Sequence, residues 1–593
     1  MNSYESLNRQ LATGWNTWNT RSVLSHVLLP EGIAINIGFK HYAGGDYLKE
    51  ALIGRQGEHD EKIHPGLRSY DGTYTELRLE WKGCTWTVQS ATEGTDLLLL
   101  ITPCDKPALV RPLVVAEAGI LWNRPGSLTR DAEVLHAGDV RIYGTHPMLK
   151  EPYIWAQGPY LALPGDEPVG FSTGHARSLA EIQTSITTAK KALPARSEAE
   201  EAMSCCLAWD TIYDPLADRV ITPVSRIWNC NWGGYVMFCW DSYFAAAMAA
   251  VENKELAYAN VIAVTREGID NGFVPNFVSP SGYQSRDRSQ PPVGSMTVLD
   301  IYNRYGEKWF LSEVFDDLLK WNRWWPEHRQ IDGLLVWGSH PYTPVVGNGN
   351  ETNTTNELFG AALESGLDNA PMYDEIPFDT KTHLMQLQDV GLNSLYIADC
   401  DALAEIASTL GRSKEASELK ERAECYRTAL RELWDENTGL FLNRRTDTGA
   451  FEYRLSPTHF YPLLAKVPTD SQASRMIDEH FFNPEEFWGD WILPSCARND
   501  PAYGDQEYWR GRIWAPMNWL VYLGLRRYDL SDAQEVLVNK SKALLLKEWR
   551  DHGHVHENYC SNTGEGCNAT RSDAFYHWGG LLGLISLIEE NDS

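Results

Sequence analysis

The stretch Ser197-Glu198-Ala199-Glu200-Glu201-Ala202-Met203 marks the change of pattern that decides the fold. Its residues favour helix, and it carries acidic side chains where a first helical turn stabilises them. Upstream the chain has the pattern of short strands, and downstream it has the pattern of long helices. A chain of 593 residues also exceeds what one hydrophobic core usually supports. We therefore predict a multidomain protein with domains of residues 1–190 and 191–593.

The part before this stretch has the pattern of antiparallel strands. From about residue 20 to residue 185, apolar and polar residues alternate in short runs such as 32–39, 76–81 and 85–88. Gly, Asp and Pro separate the runs, as they do in β-sandwich proteins. The first domain is therefore predicted to be an all-β sandwich.

The part after this stretch has no strong strand pattern. Roughly 400 residues accommodate about a dozen helices with their loops, which favours a closed ring of helical hairpins. Loops as long as 273–295 and 338–358 are uncommon unless they build a functional site. The predicted helices include 241–251, 307–325, 392–410, 414–433, 512–525, 533–549 and 574–587.

The composition excludes several classes of partner. A formal net charge of -28 repels nucleic acids and anionic membranes, so a small neutral ligand is expected. The N-terminus lacks the basic and apolar regions of a signal peptide, and no apolar run is long enough to span a bilayer. The 11 cysteines form no CxxC pair, which favours reduced thiols and a cytoplasmic protein. No cofactor or metal is expected, and the oligomeric state, a homo-oligomer included, is left open.

Five carboxylates indicate a sugar-active enzyme, because four of them lie close to aromatic residues. Aromatic rings bind the apolar faces of sugars, carboxylates bind the hydroxyls, and a pair of carboxylates cleaves a glycosidic bond. The five are Asp241 beside Trp240 and Tyr243, Asp368, Asp490 between Trp488 and Trp491, Glu507 beside Tyr508 and Trp509, and Glu557.

One aromatic and basic motif resembles a known family. The segment Trp509-Arg510-Gly511-Arg512-Ile513-Trp514 continues as Ala515-Pro516-Met517-Asn518. Together they resemble the Tyr-Trp-Arg-Gly-Pro-Ile-Trp motif of glycoside hydrolase family 63 and related helical-barrel glycosidases. Arg512 stands where that motif has Pro, which changes the expected stiffness of the loop.

Further segments match motifs of the same family in the same order. The Gln-Pro-Pro loop corresponds to residues 289–292, the acid segment to 364–369 and the base segment to 556–559. Leu363 departs from the aromatic residue that some members have before Glu-Ser-Gly, so the substrate is expected to differ from the glycerate glucosides and mannosides that they cleave. The remaining matches are the Trp-Asp helix start at 238–244 and the closing helix at 575–580.

The resemblance implies a fold, a mechanism and a set of site residues. It implies a β-sandwich packed on an all-α (α/α)6 barrel, and an inverting, exo-acting α-glycoside hydrolase with glucose as the expected glycone. Asp368 would be the general acid and Glu557 the general base. The implied substrate-binding residues are Trp240, Asp241, Gln290, Gly366, Trp509, Arg510 and Trp514.

The residues themselves are consistent with these roles. Asp368 follows Gly366 and apolar Leu367, and partial desolvation there would keep its carboxyl protonated near neutral pH. Glu557 lies among polar neighbours in 556–559 that we expect to keep it ionised. Each also has a purely structural interpretation, a loop or N-cap hydrogen bond for Asp368 and a surface ion pair for Glu557.

Alternatives stay open at this point. A trehalase or another inverting barrel glycosidase would differ in its aglycone, a phosphorolytic enzyme would need phosphate, and a non-catalytic carbohydrate-binding protein would need neither acid nor base. Among the other carboxylates, Glu507 is the first substitute for a catalytic role. Two weaker patterns are a serine nucleophile elbow at 170–174 and a zinc site at His552, His554 and His556.

Overall fold

The computed structural model describes residues 3–42, 45–53, 61–105, 111–150, 154–342, 354–566, 569 and 571–592. Part of the predicted loop 338–358, residues 343–353, lies outside the described residues. The chain divides into two compact units, Met1–Tyr235 and Val236–Ser593. A β-rich first part is followed by a helical part, so the predicted order is confirmed.

Two antiparallel sheets make up most of the first unit. The strands are β1 (Gly14–Asn16), β2 (Ser25–Leu29), β3 (Ile33–His41), β4 (Tyr47–Leu48), β5 (Lys62–Arg68), β6 (Tyr74–Trp81), β7 (Cys84–Glu93), β8 (Asp96–Pro103), β9 (Pro112–Ile120), β10 (Leu128–Asp131), β11 (Val134–Ala137), β12 (Val140–Gly144), β13 (Tyr160–Pro164) and β14 (Val169–Thr173). Within the described residues, one sheet has the order β1-β2-β3-β9-β13, with β4 paired to β3. The other has the order β10-β11-β12-β14-β8-β7-β6-β5. Buried and half-buried residues alternate along most of β7, as the sequence pattern predicts.

Helices complete the first unit. The stretch at 197–203 begins α3, where the Ser197 hydroxyl accepts from the amide of Glu200 and the Glu200 carboxylate accepts from the amide of Ser197. Ile182 and Ile186 of α2 pack with buried residues of the larger sheet. The elements are α1 (Tyr4–Leu11), α2 (Leu179–Lys191), α3 (Glu198–Asp210), β15 (Ile212–Asp214), β16 (Arg219–Ile221) and α4 (Arg226–Asn231).

The second unit is mainly helical. Its helices are α5 (Cys239–Ala249), α6 (Lys254–Thr265), α7 (Gly294–Tyr305), α8 (Lys308–His328), α9 (Leu358–Ser365), α10 (Val390–Thr409), α11 (Ser413–Arg431), α12 (Asp470–Met476), α13 (Ala515–Leu525), α14 (Ser531–His552) and α15 (Leu581–Asp592). Short strands lie in the loops: β17 (Met237–Phe238), β18 (Phe277–Val278), β19 (Gln330–Ile331), β20 (Leu334–Leu335), β21 (Phe378–Asp379), β22 (Leu384–Met385), β23 (Leu387–Gln388), β24 (Trp434–Asp435), β25 (Leu440–Phe441), β26 (Asn443–Arg445) and β27 (Phe451–Glu452).

A ring of contacts organises this unit. In turn, α5 packs against α7, α7 against α10, α10 against the 3-10 segment Pro457–Leu463, that segment against α13, and α13 against α15. The ring closes because α15 also packs against α5. The buried faces of α5 and α13 are almost wholly apolar, as inner helices require.

Candidate active site

The segment that carries Asp368 is held by a glycine that no other residue could replace without strain. Helix α9 ends at Ser365 and is followed by the capping residue Gly366, which has a φ of 70°. A Cβ at Gly366 would lie 2.7 Å from the ring of Trp240. Gly366 therefore lets the chain turn closely against Trp240 before it reaches the half-buried Asp368.

Glu364 anchors the same segment and was not singled out from the sequence. Its fully buried carboxylate accepts from Arg329 at 2.6 and 3.0 Å and from the amides of Ser289 and Gly338 at 2.9 and 2.7 Å. These bonds use both carboxylate oxygens, so Glu364 fixes the loop and is not available for chemistry.

The carboxylate of Glu557 is buried and receives two hydrogen bonds. The Tyr508 hydroxyl donates to Oε1 at 3.2 Å, and the Asp573 amide donates to Oε2 at 3.2 Å. The backbone of Glu557 is fixed as well, because its amide donates to the Asp573 carbonyl at 2.9 Å and its carbonyl accepts from Trp578 Nε1 at 2.8 Å. Glu557 is thus held in place and is not a surface ion pair.

The neighbours of Glu557 in sequence do not make these contacts. His556 lies 3.2 Å from Glu548, and Asn558 bonds to Arg512 and to the Arg571 carbonyl. The side chains of His556 and Asn558 are therefore engaged elsewhere, and both hydrogen bonds on the Glu557 carboxylate come from Tyr508 and Asp573. In an extended segment, successive side chains point to opposite faces, so the groups that touch Glu557 come from elsewhere in the chain.

The charges of three acidic side chains act on the Tyr508 hydroxyl. Burial raises the pKa of Tyr508 well above its usual value, and the negative charges of Glu557, Asp368 and Asp241 raise it further. Tyr508 itself has a φ of 55°, a strained conformation for a residue with a Cβ. Such strain is typical of functional sites. The signal in the sequence that could have identified Tyr508 as a site residue is its position directly before Trp509.

Two of these carboxyl groups, those of Asp241 and Glu557, have raised pKa values. Burial raises the pKa of Asp241 to about 8, against the hydrogen bond from the Tyr576 hydroxyl at 2.9 Å, and the charge of Asp368 contributes to the rise. Burial also raises the pKa of Glu557 well above its usual value, with the charges of Asp573 and Asp368 adding to the effect. Carboxyls that suppress one another's ionisation are the arrangement that acid–base catalysis uses.

The predicted tryptophans form one buried cluster. Trp509 stacks on Trp514 with ring centroids 3.6 Å apart and an interplanar angle of 11°. Trp240 lies 6.3 Å from Trp509, and Trp578 touches all three rings. Trp514 donates to the Tyr508 carbonyl at 2.9 Å, whereas Trp509 Nε1 has no hydrogen-bond partner among the described residues. Trp514 thus supports Trp509 by ring stacking and Tyr508 by this hydrogen bond.

Gln290 and Arg510 have positioning contacts. The Gln290 side-chain carbonyl accepts from the Trp240 amide at 3.1 Å, which fixes the start of α5. Arg510 donates to Asp505 at 2.8 Å and to Asp374 at 2.9 and 3.0 Å. Both residues therefore support the site, and the guanidinium of Arg510 is already paired with carboxylates.

The remaining carboxylates lie elsewhere. Asp490 is exposed, and Glu507 is exposed and pairs with Arg571 at 3.2 Å. Of the three substitutes considered from the sequence, Asp241 is the one that shares the site with Asp368 and Glu557.

The two weaker patterns have ordinary structural roles. Ser172 lies inside strand β14, away from any strand-to-helix turn, and its hydroxyl donates to the His175 carbonyl at 2.9 Å. The rings of His552 and His554 lie 6.5 and 5.9 Å from that of His556. Among the described residues, no group of three or more His, Cys, Asp or Glu side chains is placed to hold a metal ion. No helix among the residues that the structure describes has both the length and the hydropathy to cross a bilayer.

Comparison with known proteins places this chain in a family. Residues 234–578, more than half of the chain, match the model of the mannosylglycerate hydrolase MGH1-like glycoside hydrolase domain. Mannosylglycerate hydrolase MGH1 of Selaginella moellendorffii is 23% identical over 389 residues, 55% of this chain and 76% of the relative. Mannosylglycerate hydrolase of Rubrobacter radiotolerans is 25% identical over 468 residues, 63% of this chain and 98% of the relative.

A solved structure shares the fold. The family 63 mannosylglycerate hydrolase of Thermus thermophilus, in complex with glucose, superimposes with a TM-score of 0.52 at 20% identity and covers 66% of this chain and 99% of its own. The chain therefore belongs to the mannosylglycerate hydrolase MGH1-like proteins of glycoside hydrolase family 63, and the protein is a glycoside hydrolase.

Proposed function

We propose that the protein is an inverting, exo-acting α-glycosidase that releases a terminal glucose from a small α-glucoside. Asp368 is the general acid and Glu557 the general base. The observation that carries this assignment is the hydrogen bond from the Tyr508 hydroxyl to Glu557, together with the charges of Glu557, Asp368 and Asp241 that act on the same hydroxyl. The ring of contacts from α5 to α15 supports an (α/α)6 barrel as the architecture that brings them together.

In the proposed reaction the two carboxyls act on opposite faces of the sugar. Ionised Glu557 takes a proton from water while Tyr508 and the Asp573 amide hold its two oxygens. Asp368 gives its proton to the glycosidic oxygen as the bond to the anomeric carbon breaks. The water oxygen then forms the new bond from the opposite face, which inverts the configuration.

Asp241 has a different part in this proposal. A carboxyl with a pKa of about 8 is mostly protonated at neutral pH, so Asp241 can donate a hydrogen bond to a glycone hydroxyl while accepting one from Tyr576. The unpartnered Nε1 of Trp509 offers a further donor to the glycone.

The stereochemistry of the product tests the mechanism. Proton NMR of the first-formed sugar from an α-glucoside should show the β-anomer before mutarotation. Release of the α-anomer would reject Glu557 as a water-activating base and would require a nucleophile, for which Asp241 is the residue to test next.

The pH profile is a second prediction of this assignment. The base must be ionised, and the pKa of Glu557 is raised, so kcat/KM should fall as the pH drops through a value above that of an ordinary glutamate. The Asp573 charge contributes to that rise, so Asp573→Asn should move the acidic limb of the profile to lower pH. An acidic limb that is identical in wild type and Asp573→Asn would contradict the assignment.

The aglycone is the least determined part of the substrate. The named relatives act on mannosylglycerate, but Leu363 replaces an aromatic residue that some family members carry before the acid segment. A panel of glucosylglycerate, mannosylglycerate, trehalose and maltose, each with and without phosphate, identifies the aglycone and separates hydrolysis from phosphorolysis.

A further inference from the structure

Arg512 lies beside the segment that carries Glu557 and makes a dense set of contacts with it. Its side chain is fully buried, with an exposed fraction of 1%. The guanidinium donates to Asn558 Oδ1 and to the backbone carbonyls of Asn558 at 3.5 Å, Glu565 at 3.3 Å and Gly566 at 3.5 Å. These acceptors are amide oxygens, so the bonds fix the geometry of the backbone around Asn558, Glu565 and Gly566.

Asn558 connects the segment that Arg512 holds to residues 571–573, which contact the Glu557 side chain. Its Nδ2 donates to the Arg571 carbonyl at 2.8 Å, and its own carbonyl accepts from the Ser572 hydroxyl at 2.6 Å. The next residue, Asp573, donates its amide proton to Glu557 Oε2. Asn558 therefore joins the backbone next to the proposed base to the segment 571–573 that holds the carboxylate.

We propose that Arg512 is a positioning residue for Glu557: it fixes Asn558 and thereby both chain segments that orient the carboxylate. The inference rests on the proposed function, in which Glu557 is the base. The planar guanidinium matches several carbonyls at once, which neither Lys nor the Pro of the related motif could do.

The charge of Arg512 also supports the proposed role of Glu557 as the base. Burial lowers the pKa of Arg512, and nearby acidic groups, Glu557 among them, oppose that shift. The attraction is mutual, so the guanidinium favours the ionised form of Glu557 against the burial that disfavours it.

The test is Arg512→Met, which keeps the length and bulk of the side chain and removes its donors. We expect kcat to fall on the order of 10²-fold, the scale of a misplacement of about 1 Å, while KM changes far less. The acidic limb of the kcat/KM profile should move to higher pH, opposite to the shift expected for Asp573→Asn. Arg512→Lys should recover part of the pH shift but little of kcat, because it restores the charge and not the planar set of donors.

Two further measurements separate positioning from folding. Asn558→Ala should lower kcat in the same way, and the double variant with Arg512→Met should be clearly less than additive in the logarithm of kcat. The control is Arg427→Met: Arg427 is half-buried, donates to the Ala465 carbonyl at 3.1 Å and pairs with Asp401 and Glu424. It should lose stability without a change in kcat or in the pH profile.

Each outcome either supports or contradicts the positioning role of Arg512. If Arg512→Met behaves like Arg427→Met, Arg512 is structural and the positioning role is wrong. If Arg512→Met is not recovered as folded protein, Asn558→Ala and Arg512→Lys decide the question by the same two readouts. If Glu557→Gln keeps its activity, the proposed function fails; if Glu557→Gln is inactive while Arg512→Met keeps kcat and the acidic limb, only the positioning role fails.

Discussion

Glu557→Gln and Asp368→Asn are each expected to lower kcat by about 10²–10⁴-fold, the usual contribution of one acid–base group. Glutamine cannot take a proton from water, and asparagine cannot give one to the leaving oxygen. Initial rates on the best substrate of the panel measure both effects. A folded variant that stays within a few-fold of wild type would remove that residue from the mechanism.

A substrate with a good leaving group separates the two roles. Fluoride needs no protonation to depart, so Asp368→Asn should hydrolyse α-glucosyl fluoride far better than it hydrolyses an ordinary glucoside. Glu557→Gln should be inactive on both, because the water still needs its base. If Asp241→Asn instead shows the selective recovery with fluoride, Asp241 is the acid.

Stability provides the control for Glu557→Gln. Burial raises the pKa of Glu557 in the folded state above its unfolded value, so its ionisation destabilises the fold as the pH rises between the two values. At neutral pH the variant is free of that cost, and the glutamine carbonyl oxygen can still accept from the Asp573 amide. Its melting temperature should therefore stay close to that of wild type, and a collapse of the melting temperature would attribute lost activity to unfolding.

Trp509→Ala is expected to have the second large effect, on stability and on kinetics together. The ring is 1% exposed and packs against three other tryptophans, so its removal should cost roughly 3–5 kcal/mol of unfolding free energy. Its Nε1 has no protein partner among the described residues, and its backbone amide donates to Asn369, the neighbour of Asp368, at 2.9 Å. We therefore expect a higher KM and a lower kcat in the folded fraction.

Two variants control for the loss of a large buried ring. Trp509→Phe should keep most of the stacking on Trp514 and most of the activity. Trp86→Ala removes an equally buried ring from strand β7 of the first unit and should lose stability without a change in kinetics. If Trp509→Ala also loses only stability, Trp509 belongs to the packing core and does not act on the substrate.

Much of the fold follows from local sequence patterns. The predicted helices 392–410 and 414–433 match α10 and α11 to within two residues at each end. The predicted helix 574–587 starts too early, because Phe575 donates its amide proton to the Val555 carbonyl and α15 begins only at Leu581. Helical periodicity does not reveal that the backbone at the start of this stretch forms a hydrogen bond with another segment of the chain.

The sequence predicted the site residues that lie in recognisable motifs. It did not predict the residues whose role depends only on a contact in the folded protein. The segments with Asp368, Glu557 and Trp509 carry recognisable local signatures. Tyr508 and Asp573 hold the Glu557 carboxylate. Tyr508 coincides with the first residue of the Tyr-Trp-Arg-Gly motif and Asp573 lies outside the matched segments, but no local pattern identifies either as a partner of Glu557. Glu507 and Asp490 lie next to aromatic residues in the sequence, as Asp241 does, and only their exposure in the structure distinguishes them from it.

The sequence by itself determined the order of a β-rich part and a helical part, and the identity of the carboxylates and tryptophans in the matched motifs. These are properties of nearest neighbours and of periodicity along the chain. Only the tertiary structure decided that the charges of Asp241, Asp368 and Glu557 act on Tyr508, that Trp514 stacks on Trp509, and that Arg512 holds Asn558. Proximity and burial arise when segments remote in sequence pack together, and the pKa of a carboxyl depends on that packing and not on its neighbours in the chain.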